Sequence, residues 1–327
     1  MTRLFARRQA PAGTVLYDAP GPRTKLITYV VSAVATVVIA AGVYFLIYLP
    51  LDEKGQFTQA KWGPIVDPTN KYFDQLWQVR LVPGILHTLT AAALAILASL
   101  IMGTALAILR IQLQQLRRRN FTNVGAGAAL ALRGLTGVLN AVTRFCVEVF
   151  RGLPVVITIF FVGRGLPEMG LEFDTLWFLV IGLTIYNGVV IGEILRSGMT
   201  GLPVGQAEAA VAIGMSPLQT TRMVLLPQAY RIMLPALISQ VVVVLKDTSL
   251  GFLIGYEDLL GITQQVVNLL KNPIQLYLVI GLIYIVVNYA LSKLAQYVQR
   301  RLARGRRTPA APALLREEVV VVAGTAT

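Results

Sequence analysis

The chain has 327 residues, of which 55% are hydrophobic and only 14% are Asp, Glu, Lys or Arg, and its 29 basic residues outnumber its 16 acidic ones. Soluble globular domains carry about 25% charged residues, so the composition excludes an ordinary soluble enzyme, and the high aliphatic content excludes a disordered chain. A single cysteine and a single histidine exclude an internal disulfide and argue against a His/Cys metal cage.

Long apolar runs predict an all-α integral membrane protein. A helix that crosses a bilayer needs about 20 mostly apolar residues, because lipid offers no partner to unpaired backbone groups. Six transmembrane helices are expected, at 26–51, 81–109, about 145–163, 175–192, 232–245 and 272–292. The first run is too long for a signal peptide and lacks a cleavage site. The fifth is short, so it either continues past Lys246 or is re-entrant.

The distribution of basic residues predicts the orientation, because loops rich in Lys and Arg stay in the cytoplasm. With the N-terminus inside, the inner segments hold 21 basic and 4 acidic residues, and the outer segments hold 7 basic and 10 acidic. The inner segments are 1–25, 110–144, 196–231 and 293–327, and the outer segments are 50–80, 163–174 and 246–272. We therefore expect both termini to be cytoplasmic.

One segment leaves the number of spans open. Residues 121–143 are apolar, with Arg133 as their only charge, and could form a seventh span. The segment is rich in Gly and Ala and follows three consecutive arginines, and a span here would turn the next basic loop outward. An interfacial or cytoplasmic helix is therefore the preferred interpretation.

The loop between the fourth and fifth spans carries a spaced pattern of residues. Glu208-Ala209-Ala210 is followed by Gly214 after three residues and by Leu226-Pro227 after eleven more. The alanines predict a short, flat helix over 206–213, Gly214 permits a tight turn, and Glu208 offers one charge to a cationic partner. The alternative is an Ala-rich interfacial helix whose Glu208 faces water.

This spacing resembles the EAA loop of ABC-importer permeases, and it departs from that motif only at Val224, where Ile is usual. In that family the helix docks on the ATP-hydrolysing subunit and transmits its closure to the membrane helices. The residues that the resemblance assigns to ATPase coupling are Gly205, Gln206, Glu208, Ala209, Ala210, Gly214, Leu226 and Pro227.

Three flanking segments narrow the resemblance to the polar amino acid permeases, with glutamate-uptake permeases as the most similar group. They are Glu148-Val-Phe-Arg-Gly-Leu-Pro154, Gly192-Glu-Ile-Leu-Arg-Ser-Gly198 and Lys246-Asp-Thr-Ser-Leu250. Members often have five spans and an outside N-terminus, so the helix at 26–51 is additional. The insert around 112–143 is also longer than expected.

The resemblance implies a set of partners and a location. They are two ATPase subunits that carry ATP and Mg²⁺, a second permease subunit (identical or related), an extracytoplasmic solute-binding protein, an amino acid substrate and membrane lipid. Glutamate is preferred as substrate over glutamine, with basic amino acids third. The protein is expected in a bacterial cell membrane, with no cofactor, metal or nucleic acid bound by this chain.

The resulting organisation has five segments. They are a basic N-terminal segment (1–25), an additional transmembrane helix (26–51), an outer loop (52–80), a permease domain (81–300) with a cytoplasmic coupling loop (197–230), and a basic, disordered tail (301–327).

Charged residues near membrane depth are candidates for the substrate pathway, because burying a charge there is costly. The charged candidates are Glu193, Lys246 and Asp247, with Arg151 as a further charged residue near a span end. Asn187, Thr248 and Ser249 are polar candidates that lie in the segments resembling the permease family. Lys246 and the hydroxyls after it could hold a carboxylate. The alternative for the charged residues is snorkelling or mutual pairing at the interface. His87 is interpreted as a packed or interfacial residue rather than a proton carrier.

Other functions have less support in the sequence. An ion-coupled secondary amino acid transporter is the main alternative, but such carriers show acidic or histidine relays deep in the membrane and repeated halves, and neither is evident. The motifs of membrane-embedded hydrolases are missing. The sequence also has no Gly-x-x-x-x-Gly-Lys-Ser/Thr phosphate loop, so the chain is expected not to be an enzyme and ATP hydrolysis has to come from a partner.

Overall fold

The protein is almost entirely helical in its computed structural model, which describes residues 21–118 and 126–304. No strand occurs in those two ranges, and the predicted all-α fold is confirmed. Within them, the helical stretches long and apolar enough to cross a membrane are Pro22–Glu53, Gln75–Arg117, Gly127–Gly152, Thr175–Thr200, Pro217–Ile254 and Pro273–Arg301. Their number equals the predicted six. The predicted disordered tail lies almost wholly outside the described residues.

The chain divides into two compact units at residue 62. The first contains α1 (Pro22–Val43), a π-helical turn (Tyr44–Tyr48) and α2 (Leu49–Glu53), and no residue of these three segments is buried. A helix that is apolar all round and exposes its side chains suits a lipid environment. This is the additional span expected at 26–51.

The second unit begins at Gly63 and contains the remaining long helices. After α3 (Gln59–Val66), the α-helices are α4 (Val82–Arg118), α5 (Ala126–Gly152), α6 (Val155–Phe160), α7 (Leu166–Glu168), α8 (Thr175–Thr200), α9 (Val204–Ala212), α10 (Pro217–Gln219), α11 (Leu226–Asp247), α12 (Leu259–Leu270) and α13 (Pro273–Arg304). Further helical segments are π-helical at Gln75–Leu81, Phe161–Gly165 and Thr220–Leu225 and 3₁₀ at Thr248–Ile254.

Helix α8 is the centre of the second unit. Thirteen of its 26 residues are buried, and it packs against α4, α6 and α11. Glycines make the approach to α4 close, because a Cβ on Gly103 would lie only 2.8 Å from the carbonyl oxygen of Gly188. Small residues are typical of helix contacts in membranes, where van der Waals packing holds helices together.

Buried apolar side chains form three clusters along this unit. One surrounds the first half of α8 at Leu183, and a second joins the last turns of α8 to α11 through Leu195 and Ala229. The third joins the π-helical segment that precedes α4 to α12 and α13 through Leu81, Leu259 and Leu276. The first two clusters hold both ends of α8 to their neighbours and so fix the position of the polar residues between them.

The third span differs from the prediction. The sequence predicts a span at about 145–163 and a separate interfacial or cytoplasmic helix at 121–143. Instead, α5 runs without interruption to Gly152, and the helix is broken before α6 by extended backbone at Pro154. Proline disfavours helical backbone at the preceding residue and lacks the N–H that a continuous helix needs. The described part of 121–143 thus belongs to the same long helix as residues 145–152.

Two helices extend beyond their apolar runs. Helix α8 continues past residue 192 to Thr200. Within this extension Glu193 and Arg196 pair on one face at 3.0 Å, which stabilises the helix slightly. Helix α11 continues through Lys246, which settles the fifth span as a continuous helix. The segment between α8 and α11 is therefore shorter than the predicted loop at 197–230.

Candidate functional site

The segment with the Glu-Ala-Ala spacing forms an exposed helix between two membrane helices. In α9 only Ala210 is buried, whereas Glu208 and Ala209 are exposed. Exposed apolar side chains surround them: Val204 (72% exposed), Val211 (62%) and Ile213 (79%). An exposed apolar patch with one carboxylate is typical of a surface that binds another protein.

Local hydrogen bonds hold this exposed helix in place. The Gln228 side chain on α11 donates from Nε2 to Gln206 Oε1 at 3.1 Å. Gly214 ends the turn after α9 with a φ of +84°, a backbone conformation that favours glycine. Ser216 and Gln219 then form a reciprocal capping box at the start of α10. The helix is therefore exposed, attached to α11 near its start and followed by a defined turn into α10.

The other residues of the spaced pattern shape this segment. Gly205 lies in the first turn of α9, where a Cβ added to the glycine would have no atom within 4 Å. Leu226 and Pro227 are the first two residues of α11, where a proline needs no partner for the N–H it lacks.

A contact that the sequence did not predict attaches the segment to α4. Gln112 donates from Nε2 to Thr221 Oγ1 at 2.8 Å, and the Thr221 hydroxyl donates to the carbonyl oxygen of Pro217 at 3.0 Å. Thr221 is fully buried. No sequence signal pointed to Gln112, because one glutamine among several near the end of an apolar run is unremarkable.

Glu193 is the centre of an arginine cluster at the same end of the bundle. Its carboxylate pairs with Arg110 of α4, with Arg196 at 3.0 Å and with Arg151 of α5 at 3.8 Å. The Arg110 and Glu193 side chains are only 10% and 13% exposed. The alternative of mutual pairing therefore holds for Glu193, which joins three helices.

The cluster lines a cavity of about 710 Å³ between α4, α5 and α8. Its lining residues are Arg110, Gln114, Arg117, Asn140, Arg144, Val147, Glu148, Arg151, Glu193 and Arg196. Five arginines face two glutamates, so the cavity carries an excess of positive charge.

Lys246 and Ser249 line a second cavity, of about 570 Å³, together with residues of α12 and α13 such as Tyr277, Tyr284 and Asn288. Lys246 is exposed, and the Ser249 hydroxyl donates to the Lys246 carbonyl oxygen at 2.7 Å. This cavity offers one cation and several hydroxyl or amide groups.

The remaining pathway candidates lie outside both cavity linings. Asn187 is fully buried and accepts a hydrogen bond from Gln240 Nε2 at 2.7 Å. Thr248 is also fully buried, and its hydroxyl donates to the carbonyl oxygen of Leu245 at 2.6 Å. Asp247 has one buried carboxylate oxygen that no donor of the described residues reaches. The structure therefore divides the predicted pathway residues among three places.

His87 is an exposed residue near the start of α4, and hydrogen bonds join it to the segment before α12. Its Nδ1 lies 2.9 Å from the carbonyl oxygen of Glu257, and the Tyr256 hydroxyl donates to the carbonyl oxygen of His87 at 3.0 Å.

The buried Asp258 caps α12 by accepting from the backbone N–H of Gly261 at 2.8 Å. Burial raises the pKa of the Asp258 carboxyl to about 6 and that of the Tyr256 hydroxyl to about 12.

Comparison with protein families matches residues 123–304 to the family described as "Binding-protein-dependent transport system inner membrane component". The chain is 38% identical over 262 residues to the glutamate transport system permease protein GluD of Corynebacterium glutamicum, covering 78% of this chain and 85% of that protein. It is 35% identical over 168 residues to the probable glutamine ABC transporter permease protein GlnP of Bacillus subtilis, covering 50% of this chain and 77% of that protein.

Solved structures show the same fold. A crystal structure of an amino acid ABC transporter with histidines matches with a TM-score of 0.56 and 25% identity, covering 71% of this chain and 99% of that one. The MetNI methionine ABC transporter, in an inward-facing conformation, matches with a TM-score of 0.53 and 20% identity, covering 68% of this chain and 95% of that one.

Proposed function

Because the chain belongs to the family of binding-protein-dependent transport system inner membrane components, and is a multi-pass permease subunit of an ABC importer for amino acids, we propose that it imports glutamate and that α9 couples it to ATP hydrolysis. Permease subunits of such importers lack an ATPase site of their own. ATP and Mg²⁺ accordingly bind the partner ATPase subunits, and both termini of this chain lie in the cytoplasm with them.

The observation that carries the coupling role is the combination of exposure and attachment in α9. Glu208 and the apolar side chains around it are free to contact another protein, whereas Gln206 is hydrogen-bonded to α11. A force applied to the exposed face therefore moves α11 as well. This is what a coupling helix needs, since closure of the ATPase subunits has to be converted into a rigid-body change of the membrane helices.

Glutamate as substrate is supported by the 38% identity to a glutamate permease and by the charge of the two cavities. Lys246 and Ser249 line one, and arginines dominate the other. Cations attract a substrate with a net negative charge, and guanidinium groups match the planar shape of carboxylates. A basic amino acid would be repelled by the same groups.

The proposed assembly contains two ATPase subunits, a second permease subunit that is identical or related to this one, and an extracytoplasmic solute-binding protein. The binding protein delivers glutamate to the outer side while the ATPase subunits, closed on ATP, hold the pathway open outward. Hydrolysis then returns the pathway to the inward-open state.

Glu208→Arg tests the coupling role. The substitution reverses the only charge on an exposed helix, so we expect it to leave membrane insertion intact, to weaken capture of the ATPase subunit at least tenfold and to abolish uptake of glutamate. The measurement is co-purification from membranes with the tagged permease, followed by glutamate uptake into proteoliposomes that contain the whole importer and ATP.

Glu168→Arg is the matched control. It makes the same charge change at an exposed residue at the end of α7, near the opposite end of the bundle from α9. Capture of the ATPase should be unchanged in this variant. Normal ATPase capture and normal uptake in Glu208→Arg would refute the coupling role, and uptake of glutamine or arginine in preference to glutamate would refute the substrate assignment.

A further inference from the structure

The arginine-lined cavity lies at the end of the bundle that leads into α9, since α8 ends at Thr200 and α9 begins at Val204. Its walls come from the last turns of α4 and α8 and from the second half of α5. In an importer whose ATPase subunits dock on α9, this end of the bundle faces the cytoplasm. The cavity is therefore placed where a substrate would leave.

Helix α5 separates the cavity from the surroundings of the bundle. Asn140, Arg144, Val147 and Arg151 line the cavity and share one helical face, because residues three, four and seven apart lie one above another. The opposite face carries exposed apolar residues at Val138, Val142, Phe145 and Val149. A helix with this division places its apolar face in lipid and its charged face towards a water-filled space.

The charges in the cavity are not balanced. Glu193 holds Arg110 and Arg196 at hydrogen-bonding distance, and Glu148 holds Arg144 at 2.8 Å. With five arginines and two glutamates in the lining, three positive charges remain when both carboxylates are paired. Excess positive charge in a recessed site attracts anions.

Arg151 is the arginine best placed to bind such an anion. Its nearest guanidinium nitrogen is 3.8 Å from the Glu193 carboxylate, and its side chain is 55% exposed. A guanidinium has five N–H donors and binds carboxylates through two parallel hydrogen bonds. The long contact to Glu193 uses few of these donors, so most of them can bind a ligand in the cavity.

We propose that this cavity is an inward-facing binding site for a dicarboxylate amino acid, in which Arg151 contacts a substrate carboxylate and the paired Arg110, Glu193 and Arg196 form a fixed wall. The proposal rests on the function given above and extends it by assigning recognition of the acidic substrate to the membrane subunit itself. Anionic lipid headgroups share the relevant chemistry, so the experiment has to separate the two sources of anion.

The test measures equilibrium binding of radiolabelled glutamate to the complete importer, without its solute-binding protein, in nanodiscs of neutral phosphatidylcholine. We expect Arg151→Gln to weaken binding about tenfold or more, and Arg151→Lys, which keeps the charge but not the planar fork, to have an intermediate effect. Arg133→Gln is the control, because it removes the same charge from the same helix outside the cavity lining. Glutamine and arginine should compete poorly.

The outcomes separate this inference from the proposed function. If the wild-type importer takes up glutamate with its binding protein but Arg151→Gln and Arg133→Gln bind glutamate equally well, the cavity does not bind the substrate and the inference fails alone. If Arg151→Gln leaves glutamate binding in neutral nanodiscs unchanged and alters only the response of the importer to added phosphatidylglycerol, the cavity binds lipid headgroups and the inference also fails. If the wild-type importer takes up no acidic amino acid, the proposed function fails as well.

Discussion

The contact between α4 and α8 allows a stability prediction to be worked out from distances. A methyl group added at Gly103 would lie 2.7 Å from Ile191 Cγ2 and 2.8 Å from the carbonyl oxygen of Gly188. The Ile191 side chain can change its rotamer, but the carbonyl belongs to the backbone of α8 and cannot move unless the helix moves. Gly103→Ala should therefore push α4 and α8 apart.

Two opposing effects set the magnitude. Alanine is about 1 kcal/mol better than glycine inside a helix, whereas overpacking a tight interior costs about 1–3 kcal/mol. Two of the three short contacts, to the Gly188 carbonyl oxygen and to Ile191 Cβ at 2.9 Å, cannot be relieved by a rotamer change. We therefore take the upper part of that range and expect Gly103→Ala to lower the unfolding free energy by about 1–2 kcal/mol. Gly188→Ala meets the flexible end of Met102 instead, so its effect should be smaller.

The assay is thermal unfolding of the purified protein in one detergent, with Gly137→Ala as the control. Gly137 lies inside α5, and a Cβ added to it would have no atom within 4 Å. Only the gain in helix propensity therefore remains. The expected order of midpoints is Gly137→Ala highest, then Gly188→Ala, then Gly103→Ala. A midpoint for Gly103→Ala at or above that of Gly137→Ala would refute close backbone packing of α4 on α8.

Two further predictions concern buried polar groups and use the same assay. Asn187→Leu removes the acceptor of the Gln240 amide inside the bundle and should lower the unfolding free energy by about 1–3 kcal/mol, whereas the double variant with Gln240→Leu should regain most of the loss. No recovery in the double variant would mean that the pair is not coupled. Burial raises the pKa of the Asp258 carboxyl to about 6, above the value of about 3.9 in an unfolded chain, so Asp258 stabilises the fold below about pH 4 and this contribution is lost as the pH rises through 6. Asp258→Asn can still accept from Gly261, so it should be more stable than the wild type at pH 8 by up to about 3 kcal/mol, and identical pH profiles of the two proteins between pH 4 and 8 would contradict the assignment.

Most of the membrane helices could be predicted from hydropathy, because the bilayer imposes a minimum apolar length on each span. The third helix could not be predicted in this way. Its charged residues at Arg144, Glu148 and Arg151 interrupt the apolar run, so the run alone suggests a later start. The period of the pattern, with apolar residues at Val138, Val142 and Phe145 on the opposite face, shows that these charges are compatible with one continuous helix.

The two candidate sites differ in how far the sequence reveals them. The coupling segment is local, and the spacing of Glu208, Gly214 and Pro227 is visible in one stretch of chain. The cavity depends on the meeting of α4, α5 and α8, and Arg110 pairs with a glutamate 83 residues further along the chain. The cost of placing a charged side chain at membrane depth marked Glu193 and Arg151 as candidates. Which residues they pair with could be found only in three dimensions.

Helix α4 connects the two sites and gives the proposed coupling a physical route. Gln112 attaches it to Thr221 in the segment that follows α9, and Arg110, two residues earlier, attaches it to Glu193 in the cavity wall. Helix α8, which carries Glu193, leads directly into α9. A displacement of α9 by an ATPase subunit would therefore act on two walls of the cavity at once. Since both attachments are at least partly buried, the walls would move as rigid helices. The 3.8 Å contact from Arg151 on α5 to the Glu193 carboxylate is the one most free to change.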